Sequence, residues 1–310
     1  MALKSSTSPR VVRTALDFVF FQEFNYLDAK TAGLATSHDE LVFKQDKASG
    51  DAVIYDQFMG SGYFDQRTNE EAELGQGNPR VANNVVLSVL DFAKAVDVPR
   101  NFMRDEKHGV VKRNVSDMGY KGKLSQDNYA VDRWALGFTT VVSNDAVAWF
   151  SNSHTAINGS TVDNLETGVL TAANLETLIV RLGRQVQQDG TLGYHHAKLL
   201  FLPLNLLKEG TEIVDSELLA GTGNNNINYL SKRYPGLEVK FSPFLDDTST
   251  TAYFLAGNRH TCTRWVNEDV HTNYISWEVS KNWVGSYQAG YREVVNPISF
   301  EGSAASNGTV

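Results

Sequence analysis

The chain has 310 residues, of which 42% are hydrophobic and 21% charged, and its formal net charge is −8. That length is ample for a buried core and suggests about two domains, while the acidic balance argues against general nucleic-acid binding. The single cysteine, Cys262, excludes an intrachain disulfide framework and a cysteine-built zinc cluster.

Cys262, within RHTCTRW, reads as a small buried hydrophobe. The opening MALKSSTSPRVVR lacks the apolar core of a signal peptide. No window approaches the roughly 20 apolar residues that span a bilayer. The expectation is a soluble protein made in a reducing cytoplasm.

Residues 1–10 read as a loose polar arm. In ALDFVFFQEFNYLDA, Phe18, Phe21 and Phe24 recur in steps of three, which predicts a short helix with one apolar face. ELVFKQDKASGDAVIYDQF holds two β-prone runs about a glycine-containing turn, predicting a long hairpin. The following MGSGYFDQRTNEEAELGQGNPRVANN is turn-rich and reads as flexible or dependent on a partner for order. The spacing in VVLSVLDFAKAVDVP fits helix or strand, and its valines favour a strand ending before Pro99.

Residues 100–140 predict two helices separated by GYKGK, the second capped by Ser125 and carrying Tyr129, Trp134, Leu136 and Phe138. FTTVVSNDAVAWFSNSH predicts two strands about a turn at Ser143-Asn144-Asp145. Thr171 is a good N-cap for an amphipathic helix bearing Leu175, Leu178, Ile179, Leu182 and Val186 and stopping at Gly190. AKLLFLP reads as a buried strand stopped by Pro203, LNLLKEGTEIVDSEL as a helix, and GTGNNNINYLSKRYPG as a polar loop. LEVKFSPFL, TAYFLAG and NYISWEVS are extended, with Ile275, Trp277 and Val279 alternating in the last. EGSAASNGTV reads as a polar tail. The class is α+β, with mostly antiparallel strands and no βαβ rhythm.

Chemistry is hard to find. Ser151-Asn152-Ser153-His154 offers hydroxyls beside a histidine, but no G-x-S-x-G elbow accompanies it, and Ser and Asn often end a strand by turning the backbone. His195 and His196 are adjacent, so on a strand they point to opposite faces and are poorly placed to share a metal. His260 and His271 read as structural. GTGNNN and GSG lack the lysine of a phosphate loop. Glu70-Glu71 and Asp246-Asp247 lie in turn-rich, solvated segments, and N-x-[ST] sites at Asn114, Asn158 and Asn307 mean little without secretion. No catalytic, cofactor-binding or metal residue is assigned.

The order of several stretches resembles the major capsid proteins of tailed bacteriophages, with the Hong Kong 97-type fold. DAVAWFSNSHTAINGSTVDNLETGVLTAANLETLIVRLGRQVQQDG is similar to that family's strand, polar corner and leading helix. HHAKLLFLPLNLLKEGTEIVDSEL, KFSPFLDDTSTTAYFLAG and YREVVNPISFEG continue the order, so the likeness covers nearly the whole chain. It implies an N-terminal arm over 1–40, an E-loop with its return strand over 41–98, and a peripheral domain with a long spine helix over 99–164. An apical domain over 165–256, a return to the peripheral domain over 257–303 and a tail over 304–310 complete the division.

The resemblance implies a head protein rather than an enzyme, without cofactors, assembling as hexamers and pentamers into an icosahedral shell within the virion. The arm would reach neighbouring subunits and the E-loop overlap the next one. Expected partners are copies of itself, a separate scaffolding protein, a portal and, in some heads, decoration or cement proteins, with double-stranded DNA enclosed without sequence readout and no membrane. Lys44 and Lys47 lie in the implied E-loop, but no motif marks a crosslinking partner, and they read as surface lysines. Two rivals remain: an encapsulin-like nanocompartment shell, and a serine hydrolase built on Ser151 or Ser153 with His154.

Overall fold

The computed structural model describes residues 9–25, 33–64, 80–99, 108–217, 227–276 and 283–309. Its helices are α1 (Pro9–Phe24), α2 (His108–Ala135), α3 (Ala172–Gly183), α4 (Leu207–Asp215) and the short α5 (Tyr229–Arg233). The strands begin with β1 (Lys44–Lys47), β2 (Ala52–Phe58), β3 (Val81–Ser88) and β4 (Leu90–Pro99). Short pieces follow at β5 (His154–Thr155), β6 (Thr161–Val162) and β7 (Leu165–Glu166), then β8 (Ala197–Pro203), β9 (Glu238–Ser242) and β10 (Tyr253–Gly257). The long β11 (Cys262–Ser276) and β12 (Trp283–Pro297) precede β13 (Ser303–Ser306).

α1 buries Leu16, Phe20 and Phe24 and leaves Phe18 71% exposed. The apolar face therefore runs in steps of four, not the three read from the phenylalanines, because a step of four drifts only about 40° around a helix. This face joins Val98, Val111, Val115, Met118 and Tyr287 in one cluster. The described part of the expected arm thus docks on the chain's own core. Residues 1–8 and 26–32 lie outside the described residues.

α2 is one unbroken helix of 28 residues, about 42 Å long. The expected break at Gly119–Lys123 does not occur, and Ser125 is mid-helix rather than a cap. Glycine costs about 1 kcal/mol in a helix interior, and close packing offsets that cost here. A Cβ on Gly119 would stand 2.5 Å from the Phe20 carbonyl oxygen, and one on Gly122 would lie 3.7 Å from the Phe24 ring. The glycines let α1 cross α2 at backbone contact. Lys123, wholly buried at this crossing, lies 2.8 Å from His38 Nδ1, 3.6 Å from Asp127 and over the Phe24 ring.

Two larger sheets carry most of the rest, beside the two-stranded pairs β2-β3 and β5-β6. One has the order β1-β11-β12-β4, with β11 and β12 antiparallel along their length and β1 parallel to β11. A buried Arg264–Glu293 pair, with Nη2 and Oε2 2.6 Å apart, locks β11 to β12. Gln126 donates to the same Glu293 oxygen at 3.1 Å and ties the sheet to α2. The second sheet has the order β7-β13-β10-β8-β9. Leu175, Leu178, Ile179 and Leu182 of α3 pack on it with Leu200, Leu202 and Leu255. Trp134, Trp149, Phe150, Phe201 and Phe254 form a further core beside the end of α2.

The strand read over 85–99 is present as part of β3 and β4, though it includes Pro99. The hairpin is paired differently from the expectation: β2 pairs with β3, and β1 leaves to join β11. The Ser143-Asn144-Asp145 turn is present, but its two expected strands reduce to one bridge, Val142 to Ala148. Thr171 caps α3 by accepting from the Asn174 N–H at 3.2 Å. That helix ends at Gly183 rather than Gly190, with Val186 beyond it. The expected loop over 221–236 contains α5, and residues 218–226 lie outside the described residues, as do Trp277 and Val279.

The largest correction is at the C-terminal end. The expected polar tail contains β13, an interior strand between β7 and β10 with all four residues buried. Trp149 Nε1 donates to Ser303 Oγ at 2.8 Å, and Gln185 Nε2 to the Ser303 carbonyl at 2.8 Å. Small polar residues fit there because large neighbours fill the space around them.

Candidate assembly surface

β2 and β3 form a two-stranded ribbon whose outer edges are unpaired among the described residues. Ile54 stands opposite Val86, and Phe58 opposite Val81, with a register shift between Asp56 and Gln57. Alternate residues share a face, so Ile54, Asp56 and Phe58 lie together, and Asn84 donates to Asp56 at 2.9 Å on that side. Ile54 is 65% exposed, Phe58 63%, Val81 61% and Val86 61%. An isolated two-stranded ribbon is marginal in water, and a large exposed apolar stripe marks a surface that another body covers.

The ribbon is held at both ends. At its base, the Val89 N–H donates to the Asp51 carbonyl at 2.9 Å, and Arg292 bonds the Asp51 carboxylate at 2.8 Å. Asn267 Nδ2 donates to the carbonyls of Ala48 and Gly50. Toward the tip, the Gly62 N–H donates to Asp189 Oδ2 at 3.2 Å, and the Leu192 N–H to the Tyr63 hydroxyl at 3.1 Å. Burial would raise the Asp189 carboxyl, but bonds from Thr191 and Gly62 hold it below its ordinary value. The apolar stripe is thus presented on a fixed support. Residues 65–79, including Glu70 and Glu71, lie outside the described residues.

The Ser151–His154 stretch is a corner. His154 is wholly buried, with Nδ1 2.8 Å from Asp145 Oδ2, Nε2 3.1 Å from the Trp149 carbonyl, and its ring stacked on Phe300. Ser151 Oγ and Ser153 Oγ lie 3.1 Å from each other, so the structure does not join either hydroxyl to the histidine. Asp145 gathers the corner, accepting also from Ser143 Oγ and from the Val147 and Thr155 N–H groups. Burial opposes its charge, yet bonds from His154 and Ser143 hold its carboxyl below the ordinary value. The buried Asn164 accepts from the Ser151 N–H and donates to the Trp149 carbonyl, both at 2.8 Å. Sequence reading missed Asp145 and Asn164 as organisers, because His154 lies 9 residues from Asp145 and Trp149 lies 15 from Asn164.

His195 is buried and His196 exposed, so the adjacent rings do point apart. Burial and the nearby Arg259 push His195 down to about 4. His260 is also buried, and desolvation with Lys44 nearby pushes it down to about 4. His271 is exposed, 3.6 Å from Glu268. Cys262 is wholly buried and its thiol is pushed well up by desolvation, as befits a core residue. Asp246 accepts from the Leu204 and Asn205 N–H groups and so caps a short helical turn. Lys44 and Lys47 are exposed on β1. Among the described residues, no three His, Cys, Asp or Glu side chains gather as a metal site, and no helix is long and apolar enough to cross a membrane.

No family model matches the chain, and no curated protein matches it. Solved structures match it along most of its length. The capsid of Ralstonia phage GP4 superposes with a TM-score of 0.55 at 10% identity, covering 86% of this chain and 86% of that one. The cyanophage Pam1 capsid gives 0.52 at 15% identity, over 85% and 87%. The virus-like particle of Pyrococcus furiosus gives 0.54 at 9% identity, over 94% and 98%. The chain has the Hong Kong 97-type capsid fold.

Proposed function

We propose that this chain is the major capsid protein of a tailed double-stranded DNA bacteriophage, assembling as hexamers and pentamers into an icosahedral head. The observation that carries the reading is the apolar stripe of Ile54, Phe58, Val81 and Val86 on a ribbon whose edges are unpaired among the described residues. It sits on a chain that matches capsid proteins over most of its length. Each ribbon covers a modest area, and closure of the lattice multiplies it. The function is packing rather than catalysis. In this reading the chain is made in the host bacterial cytoplasm, a separate scaffolding protein guides assembly, a portal occupies one vertex, and the acidic shell encloses the genome without reading its sequence.

Electron microscopy of the purified protein, with and without the scaffold, tests the reading. Closed shells are expected. Ile54→Lys with Val86→Lys leaves a folded subunit that forms none, and normal shells from that variant would remove the stripe from the argument.

A second reading, a nanocompartment shell, draws on the likeness to the Pyrococcus furiosus particle. Genes for portal, protease and terminase beside this one favour the phage head, and a cargo-enzyme gene favours the compartment.

A further inference from the structure

Arg259 lies in the turn between β10 and β11. It is exposed, and its guanidinium makes no hydrogen bond or ion pair among the described residues. The turn beneath it is rigid. The Asn258 N–H donates to the His196 carbonyl at 3.0 Å, the His196 N–H to Asn258 Oδ1 at 3.3 Å, and the Gly257 N–H to the Gly302 carbonyl at 2.8 Å. Gly302, at φ +71°, passes so close that a Cβ there would stand 2.7 Å from the Arg259 carbonyl carbon. Lys44 opens β1 in register with Thr263, just past the same turn, and its ammonium is likewise unpaired among the described residues.

Two buried histidines flank the turn: His260 follows Arg259 in the chain, and a Cβ on Gly257 would stand 3.4 Å from His195 Cβ. His195 is 4% exposed and neither ring nitrogen has a hydrogen-bond partner; His260 is 5% exposed and its Nδ1 has none. The His195 ring packs directly on Gly193, where a Cβ would stand 2.5 Å from Nε2. The charges that act within the group are all alike: Arg259 on Lys44 and His195, Lys44 on His260. Two unneutralised cations at a firmly held turn, beside buried ring nitrogens without partners, suit an anion.

We propose that Arg259 and Lys44, at the turn that packs on the buried His195, receive a carboxylate from a second copy of this chain, a contact that rests on the shell reading above. The chain carries 36 acidic against 28 basic residues, so each neighbour brings a surplus of carboxylates. Exposed Asp97, Glu209 and Glu238 have no ion pair among the described residues. Like-charge repulsion in the free subunit is relieved only when the neighbour docks, which ties the contact to assembly.

The test compares wild type with Arg259→Ala, Arg259→Glu and Lys44→Ala, each first checked for an unchanged thermal melt as the free subunit. Shell formation is then followed by light scattering and sedimentation at low and high salt. Arg259→Ala should raise the concentration needed for assembly about tenfold at low salt, as loss of one close charge pair implies, and should flatten the salt dependence; Arg259→Glu should block assembly. Assembly of both Arg259 variants like wild type, with the same salt dependence, would overturn the proposal. Arg259-dependent binding of inorganic phosphate or a single-stranded oligonucleotide to the free subunit would overturn it in favour of a phosphate site. Failure of wild type itself to form shells is a separate result, which sinks the shell reading before any variant is compared.

Discussion

The backbone of Gly119 touches that of Phe20: a Cβ on Gly119 would stand 2.5 Å from the Phe20 carbonyl oxygen. The contact joins the first helix to the long one at the place where two glycines suggested a break. Gly119→Ala should therefore destabilise the free subunit by about 1–3 kcal/mol, the usual cost of overpacking. That exceeds the roughly 1 kcal/mol that alanine gains in a helix. Urea unfolding of the two proteins measures the difference, and a more stable variant would mean that the crossing is looser than described.

Asp145 and His154 form a buried pair at the corner before β5. Asp145→Asn removes the charge on which four donors converge and should cost about 2–4 kcal/mol. Because the folded carboxyl is held below its ordinary value, its contribution is present above about pH 4 and lost as pH falls through the lower folded value. The gap between wild type and variant should therefore narrow in strong acid, as read by thermal melts across pH.

His195 and His260 set a second acid dependence. Both are held down to about 4 in the folded chain, against about 6.5 when unfolded. The unfolded chain binds more protons between those values, so stability rises with pH through the window and is complete above it. Each ring contributes on the order of 3 kcal/mol to this slope. His195→Gln with His260→Gln should flatten the stability–pH curve of the free subunit between about pH 4 and 6.5, and an unchanged curve would show that the rings are hydrated.

Removal of residues 302–310 should prevent folding, because β13 is an interior strand whose loss strips β10 and β7 of partners. Circular dichroism and protease resistance of the truncated chain are the measurements. A compact, cooperative product would place β13 outside the folding unit.

The parts legible in the sequence are those whose cause is local. Thr171 caps α3, and the leucine spacing marks its buried face, because both signals act within a few residues. AKLLFLP announces a buried strand through its own apolar run. The turn at Ser143–Asp145 and the corner at Ser151–His154 are likewise written in short polar residues that bend the chain.

Pairing over distance was not legible. β2 takes β3 across some thirty residues and β1 takes β11 across more than two hundred, and neither strand names its partner. Ser303–Ser306 looks like tail because burial there depends on Trp149 and Gln185, far away in the chain. The apolar stripe on the ribbon is written in the sequence, but its exposure is not. By itself the sequence determined where helices and strands can start, stop and turn, since backbone propensity and capping are local. The tertiary structure alone decided which of them meet, because contact between distant segments depends on the space every other segment leaves.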